Sequence, residues 1–308
     1  MSNSMQRMLL PLLAAALILL AGTGHARLVE EQLQVPVKVA DAYGKMIAQD
    51  IVVTLFHDDT TPQPRPLLML NHGRAADAAG RAALGRARYT DASRWLAGLG
   101  FTVAVPTRIG YGVSDGEDLE YTGACKQKNY PPGYAAAADQ TLQVIDALRT
   151  NGTSGTSGNR GNISFKQTVV MGQSFGGTTA IALAARNQPE IHLAINFAGG
   201  GGGNPKTQPQ NPCAPKSLEH LFAGYGKTTR IPTLWIYAEN DMYFGARLPR
   251  EWFAAFKKAG GHGEFHQFPP EGDDGHALFT RAPQLWRPKV LEFLRANGFP
   301  ALSAATVR

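Results

Sequence analysis

Apolar, β-branched segments of strand length recur along the chain at residues 51–56, 66–71, 101–106, 168–172, 192–197, 233–238 and 264–268. Segments of helical character separate most of them, the clearest at 91–99, 134–149, 177–187, 247–259 and 284–297. A strand that is apolar at nearly every position, as most of these are, cannot turn a face to water. Such strands belong in a sheet covered on both sides, and their alternation with helices makes that sheet mostly parallel, an α/β architecture. In sheets of this kind a ligand site lies beyond the carboxyl ends of the strands. With 44% hydrophobic and 18% charged residues, the chain is neither disordered, collagenous nor a coiled coil. No convincing linker divides residues 27–308, so a single domain is expected.

At the N-terminus, Arg7 precedes an apolar run over residues 8–21, and Gly24-His25-Ala26 offers small residues where a signal peptidase reads. Residues 1–26 therefore read as a cleaved secretory leader, with the mature chain starting near Arg27 and a periplasmic or secreted location. The run contains Pro11 and is shorter than the roughly 20 residues that span a bilayer, so a stable membrane anchor is the weaker alternative. Export would expose Cys125 and Cys213 to an oxidising compartment, where they are expected to pair, the alternative being two free thiols. Neither has the spacing of a metal site, and no metal or organic cofactor is implied. The formal charge of +6 accompanies no nucleic-acid motif. Arg74, Arg81, Arg86 and Arg88 cluster in one stretch, which reads as a solvated basic face rather than a phosphate-tracking surface.

Three stretches interrupt the strand–helix rhythm, near 107–133, 151–162 and 198–230. The second, Asn-Gly-Thr-Ser-Gly-Thr-Ser-Gly-Asn-Arg-Gly-Asn, has the composition of a surface loop. The third opens with five glycines, Gly199 to Gly203, and continues through Pro205, Pro209, Pro212 and Pro215. It reads as a small cap over the site. No Gly-Lys-Ser/Thr follows those glycines, which argues against a phosphate-binding loop.

The pattern Gly-x-Ser-x-Gly occurs twice, at residues 172–176 and 112–116, and with 34 glycines in the chain the pattern alone decides little. Its context decides more, because a nucleophile elbow needs a strand ending at the first glycine and a helix opening after the serine. Ser174 has both: Thr168-Val-Val-Met171 runs into Gly172, and a good helix former follows Gly177. Ser114 has neither and remains the lesser candidate. A base should follow in the chain, supported by a carboxylate. Of the seven histidines beyond the leader, His276 alone lies in a loop after the last strand, in Glu271-Gly-Asp-Asp-Gly-His276. The strand 233–238 ends in Glu239-Asn240-Asp241, from which Asp241 is the preferred acid and Glu239 the structural alternative. An oxyanion hole would use the backbone N–H groups of Phe175 and of Arg74, the latter in the turn Asn71-His72-Gly73-Arg74 after a strand. His72 itself reads as a turn-holding residue rather than a second base.

Taken in order, His72-Gly73, Gly172-Gln173-Ser174-Phe175-Gly176-Gly177, Tyr237-Ala-Glu-Asn-Asp241 and Gly272-Asp-Asp-Gly-His276 resemble the α/β-hydrolase superfamily, and within it dienelactone-hydrolase-related proteins. The resemblance spans about residues 45 to 298. It implies a central, mostly parallel sheet of about eight strands with helices on both faces, the small cap following the sixth strand, and a triad of Ser174, Asp241 and His276. Dienelactone hydrolase proper has a cysteine where this chain has Ser174, so its substrate is not carried over. The expected activity is cleavage of a small-molecule carboxylic ester through an acyl-enzyme. A serine peptidase, an acyltransferase and a noncatalytic binding protein on the same fold are the alternatives. Tyr111, Trp235, Tyr243 and Phe244 are candidates for an aromatic pocket, and Arg74 or Arg108 for binding an acidic group.

Overall fold

The computed structural model describes residues 28–75, 77–152 and 163–299. The leader expected at 1–26 lies outside the described residues, as does the 151–162 loop beyond its first two positions. Eight strands form one sheet: β1 (Leu28–Ala40), β2 (Met46–Asp58), β3 (Arg65–Asn71), β4 (Thr102–Thr107), β5 (Ile163–Gln173), β6 (Ile191–Phe197), β7 (Thr233–Ala238) and β8 (Gly263–Phe268). Their spatial order is β1-β2-β4-β3-β5-β6-β7-β8. β2 runs antiparallel to β1 and β4, and every other neighbouring pair is parallel.

The central strands divide their side chains between two cores, as the period of two in a strand requires. On β7, Trp235 and Tyr237 enter one core while Leu234 and Ile236 enter the other. On β3, Leu67 and Met69 are set against Leu68 and Leu70 in the same way. The first core lies under helices α3 (Tyr130–Gly152), α4 (Phe175–Ala184), α5 (Pro215–Thr228) and α6 (Arg247–Lys258). The second lies under α2 (Thr90–Gly98) and α8 (Pro283–Ala296), with Leu96, Trp286 and Phe293 filling it. A short helix α1 (Ala78–Ala83) follows β3, and a single turn α7 (Leu278–Arg281) precedes α8.

Besides the short α1 and α7, two longer elements, β1 and α5, go beyond the expected set. β1 alternates instead of running apolar: Val35, Val37 and Val39 are buried while Gln34, Pro36 and Lys38 are exposed. Its outer edge is partly closed by α3, whose Gln143 accepts from the Lys38 N–H at 2.7 Å and donates to the Lys38 carbonyl at 3.0 Å. The excursion after β6 divides in two. Residues 198–214 form a loop over the sheet's carboxyl edge, and Pro215–Thr228 is helix α5, which buries Leu218 and Phe222 and packs Phe222 on Trp235 at 4.9 Å between ring centres.

Cys125 and Cys213 are joined in a disulfide with Cα atoms 5.0 Å apart, tying the loop after β4 to the loop after β6 across 88 residues of chain. Closing a loop of that length constrains the unfolded chain by about 4 to 5 kcal/mol in the chain-entropy account. Alkylation of the unreduced protein should therefore add no mass, and the Cys125→Ser/Cys213→Ser variant should melt several degrees lower. Two alkyl groups on the unreduced protein would contradict the bond.

Candidate active site

β5 runs directly into Gly172-Gln173-Ser174, and α4 opens at Phe175. Ser174 sits at φ 57°, ψ −122°, a region that a residue with a Cβ enters only under constraint. The constraint is close packing of backbone. The Ser174 N–H donates to the Phe197 carbonyl at 2.8 Å, which draws the turn against β6. A Cβ on Gly172 would lie 2.2 Å from the Gly176 carbonyl oxygen, and one on Gly176 would lie 2.1 Å from that of Asn71 on β3. Only glycines allow this turn to press between the neighbouring strand ends. Ser174 is left part-exposed at the N-terminus of a wholly buried helix, where the first N–H groups have no intrahelical acceptor and the helix dipole favours negative charge.

The loop after β8 carries His276 to this serine, with Nε2 2.9 Å from Ser174 Oγ. Nδ1 of the same ring lies 2.9 Å from Asp241 Oδ2. A carboxylate can only accept, so the Nδ1 proton belongs to this bond and Nε2 is free to accept from the serine hydroxyl. Asp241 is fully buried, and its other oxygen accepts from the N–H groups of Tyr243 and Phe244 at 2.8 and 3.0 Å. The imidazole is stacked on the Tyr243 ring at 4.0 Å and meets the Phe244 edge at 5.3 Å. Asp274 shapes the loop by accepting from the N–H groups of Met242 and His276, both at 2.9 Å. Such a row can take the serine proton as its oxygen attacks an electrophilic carbon.

The competing candidates are placed elsewhere. Ser114 is buried, its hydroxyl donating to the Thr107 carbonyl at 2.6 Å and accepting from the Val52 N–H at 2.9 Å. It braces β2 against β4 and has no histidine among these partners. Glu239 pairs with Arg250 at 3.5 Å on the surface. Of the other histidines, His266 lies on β8 beside Glu264. Arg86 and Arg88 clasp Glu30 of β1. Arg74 binds Asp118 through two nitrogens at 2.6 and 2.7 Å, with Arg81 behind it at 3.1 Å. Burial alone would raise the Asp118 carboxyl, but its bonds to Arg74 and the nearby charges hold it below the usual range. Arg108 is fully buried, paired with Glu120 and not among the residues lining the cleft, so it does not face an acidic ligand there. Of the four aromatic pocket candidates, Tyr243 and Phe244 line the cleft, whereas Trp235 lies in the core and Tyr111 is buried against Glu120.

A cleft of about 550 Å³ opens in front of Ser174, with Phe175 and Arg74 in its wall. The turn after β3 abuts the elbow so closely that a Cβ on Gly73 would lie 3.2 Å from Ser174 Cβ. The far wall is the glycine loop, packed onto two tyrosines of α3. Tyr130 donates to the Cys213 carbonyl and Tyr134 to that of Gly200, the latter at 2.9 Å. A Cβ on Gly202 would fall 2.2 Å from the Tyr130 hydroxyl, and one on Gly201 2.6 Å from that of Tyr134. The disulfide lies in this wall as well.

Solved structures share the fold that carries this site. A putative dienelactone hydrolase from Klebsiella pneumoniae subsp. pneumoniae superposes with a TM-score of 0.52 at 15% identity, over 88% of this chain and 99% of that one. The chain has the α/β-hydrolase fold. An esterase from Pyrococcus furiosus is similar at a TM-score of 0.51 and 14% identity, over 86% of this chain and 90% of that one. An acylaminoacyl peptidase from Pyrococcus horikoshii reaches 0.57 at 12% identity, this chain matching 41% of its length and 87% of its own. No protein-family model matches the sequence, nor does any curated protein sequence.

Within this hydrolase fold, two contacts escape a reading of sequence. Gln173, a variable position of the elbow pattern, donates to the His276 carbonyl at 3.2 Å and accepts from Tyr89 at 3.2 Å. Tyr89 in turn accepts from the Gly73 N–H at 3.2 Å, so one hydrogen-bonded chain joins the three loops of the site. No local signal marks Tyr89, which lies at a helix entry far along the chain. The packing of the glycine wall yields a test. Gly202→Ala should lower stability by about 2 to 3 kcal/mol, because Gly202 lies at φ 73° and the added methyl group also meets the Tyr130 hydroxyl. Gly272→Ala, at a positive φ but in open space, should cost about 1 kcal/mol. Thermal unfolding of the two variants checks the difference.

Proposed function

We propose that this protein is an exported serine hydrolase of carboxylic esters, folded as a single domain over residues 27–308. The observation that carries the reading is the unbroken row Ser174–His276–Asp241, with both contacts at 2.9 Å, at a helix N-terminus facing a cleft. In this reading Ser174 Oγ attacks the ester carbonyl carbon while its proton passes to His276 Nε2. Asp241 holds the imidazolium through the Nδ1 proton. The tetrahedral oxyanion is stabilised by the N–H groups of Phe175 and Arg74. His276 then returns the proton to the departing alcohol, leaving an acyl-enzyme, and the same groups activate water to release the acid. The chemistry calls on no metal or organic cofactor and on a small-molecule ester alone. The names of the structural neighbours, an esterase among them, favour acyl chemistry. Export is supported by the leader-like residues 1–26 and by the disulfide.

Hydrolysis of p-nitrophenyl esters should fall by about four orders of magnitude or more in Ser174→Ala and His276→Ala, leaving what the oxyanion site alone supplies. A fluorophosphonate probe should label Ser174, mapped by peptide mass. Ser114→Ala should lower stability through the lost buried hydrogen bonds yet keep most of the activity of the folded fraction. Equal losses in the Ser114 and Ser174 variants, or a label elsewhere, would defeat the assignment.

A further inference from the structure

We infer that His72 and Arg108 are positioning residues that aim and polarise the Arg74 N–H, an inference that rests on the oxyanion role just proposed for that group. The Gly73 carbonyl and the Arg74 N–H belong to one planar peptide unit and point to opposite sides of it, so whatever grips the oxygen sets the direction of the N–H. The oxygen is gripped by two side chains. His72 Nδ1 lies 2.7 Å from it, and Arg108 Nη2 approaches at 3.5 Å. The Arg108 backbone N–H donates to His72 Nε2 at 3.2 Å, which leaves the ring proton on Nδ1, where it can donate to Gly73. Burial, aided by the Arg108 charge, holds the His72 pKa well below the ordinary value, so the ring stays neutral in that tautomer.

Arg108 is itself held in place. Its Nε donates to Glu120 Oε1, whose other oxygen accepts from the Tyr111 hydroxyl at 2.6 Å. His72, Arg108, Tyr111 and Glu120 are all at most 1% exposed. The guanidinium carbon also lies 5.8 Å from the ring centre of Phe175, the residue that carries the other donor. The preceding peptide unit is held as well, its Gly73 N–H donating to the Tyr89 hydroxyl at 3.2 Å. A cation and a second donor on the carbonyl oxygen draw electron density across the peptide and strengthen the N–H on its far side, as in a chain of hydrogen bonds. A buried ion pair is a costly way to hold a turn that apolar packing could hold. Its convergence on this one peptide unit is what assigns the role.

The test compares matched p-nitrophenyl oxo- and thionoesters, because a sulfur atom fits an oxyanion site poorly and gains little from its donors. His72→Ala should lower kcat on the oxoester by about 10- to 100-fold with KM nearly unchanged, the scale of a misdirected oxyanion donor. The oxo-to-thiono rate ratio should fall with it. His72→Asn, whose amide N–H can stand where Nδ1–H does, should recover much of the loss, and His72→Gln should not. Arg108→Met/Glu120→Gln removes both buried charges together and should reproduce the fall in the ratio. Oxo and thiono rates that drop in parallel in folded variants would overturn the inference, as would equal rescue by Asn and Gln. Native protein that hydrolyses no ester and takes no probe at Ser174 would overturn the serine-hydrolase assignment and the positioning role with it. Native activity with an unchanged ratio in every variant would overturn only the positioning role.

Discussion

The site depends on how closely three backbones can approach at the carboxyl edge of the sheet. β3, β5 and β6 end side by side, and the turn carrying Ser174 is wedged between the outer two, with glycines wherever a side chain would collide with a carbonyl. That wedge holds a residue with a Cβ at φ 57°. It also places the serine at the mouth of α4 and brings the Gly73 turn against it. Strain of this kind persists only where the surroundings over-determine the conformation. Here the surroundings are the central strands of the molecule, so the conformation of Ser174 is as secure as the sheet.

Around this wedge the charged groups fall into two classes. Those at the periphery tie loops to strands: Arg86 and Arg88 fasten the loop before α2 to Glu30 on the edge strand, and Arg74 and Arg81 meet on Asp118. Part-exposed pairs of this sort contribute modestly to stability. The Arg108–Glu120 pair is of the other class, fully enclosed beneath the β3 turn. Removing one partner would leave an uncompensated charge in the interior, so these two residues can change only together. The arginine cluster that looks like a basic face in sequence is largely neutralised in three dimensions.

How much of this could be read from sequence follows from how local each signal is. The central strands were legible because burial on both faces makes them apolar throughout. Ser174 was distinguishable from Ser114 because strand and helix flank it directly, and His276 and Asp241 because each sits just past a strand. β1 was not legible by the same criterion, since an edge strand covered on one face alternates, and Val35, Val37 and Val39 are each separated by a polar residue or proline. Helix α5 was hidden by the prolines that precede it and by Gly224 and Gly226 within it. Tyr89 and Gln173 meet across 84 residues and Gln173 reaches His276 across 103, while Glu120 finds Arg108 and Tyr111 within an irregular loop that has no periodicity, and such partners leave no mark on the sequence near them.

β1 also bears on how copies of this protein meet one another. A sheet's terminal strand presents unpaired amides and carbonyls that can recruit another chain. Here the Lys38 amide and carbonyl are both engaged by Gln143, and Pro36, two residues earlier on the same side of the ladder, has no N–H to offer. The strand thus blunts its own edge against strand-to-strand aggregation. Behind it lies β2, buried without interruption from Ile51 to Asp58. Loss or detachment of β1 would turn that apolar strand into the new edge, with no proline and no covering glutamine. The colloidal behaviour of the protein therefore rests on a strand that contributes no side chain to the cleft.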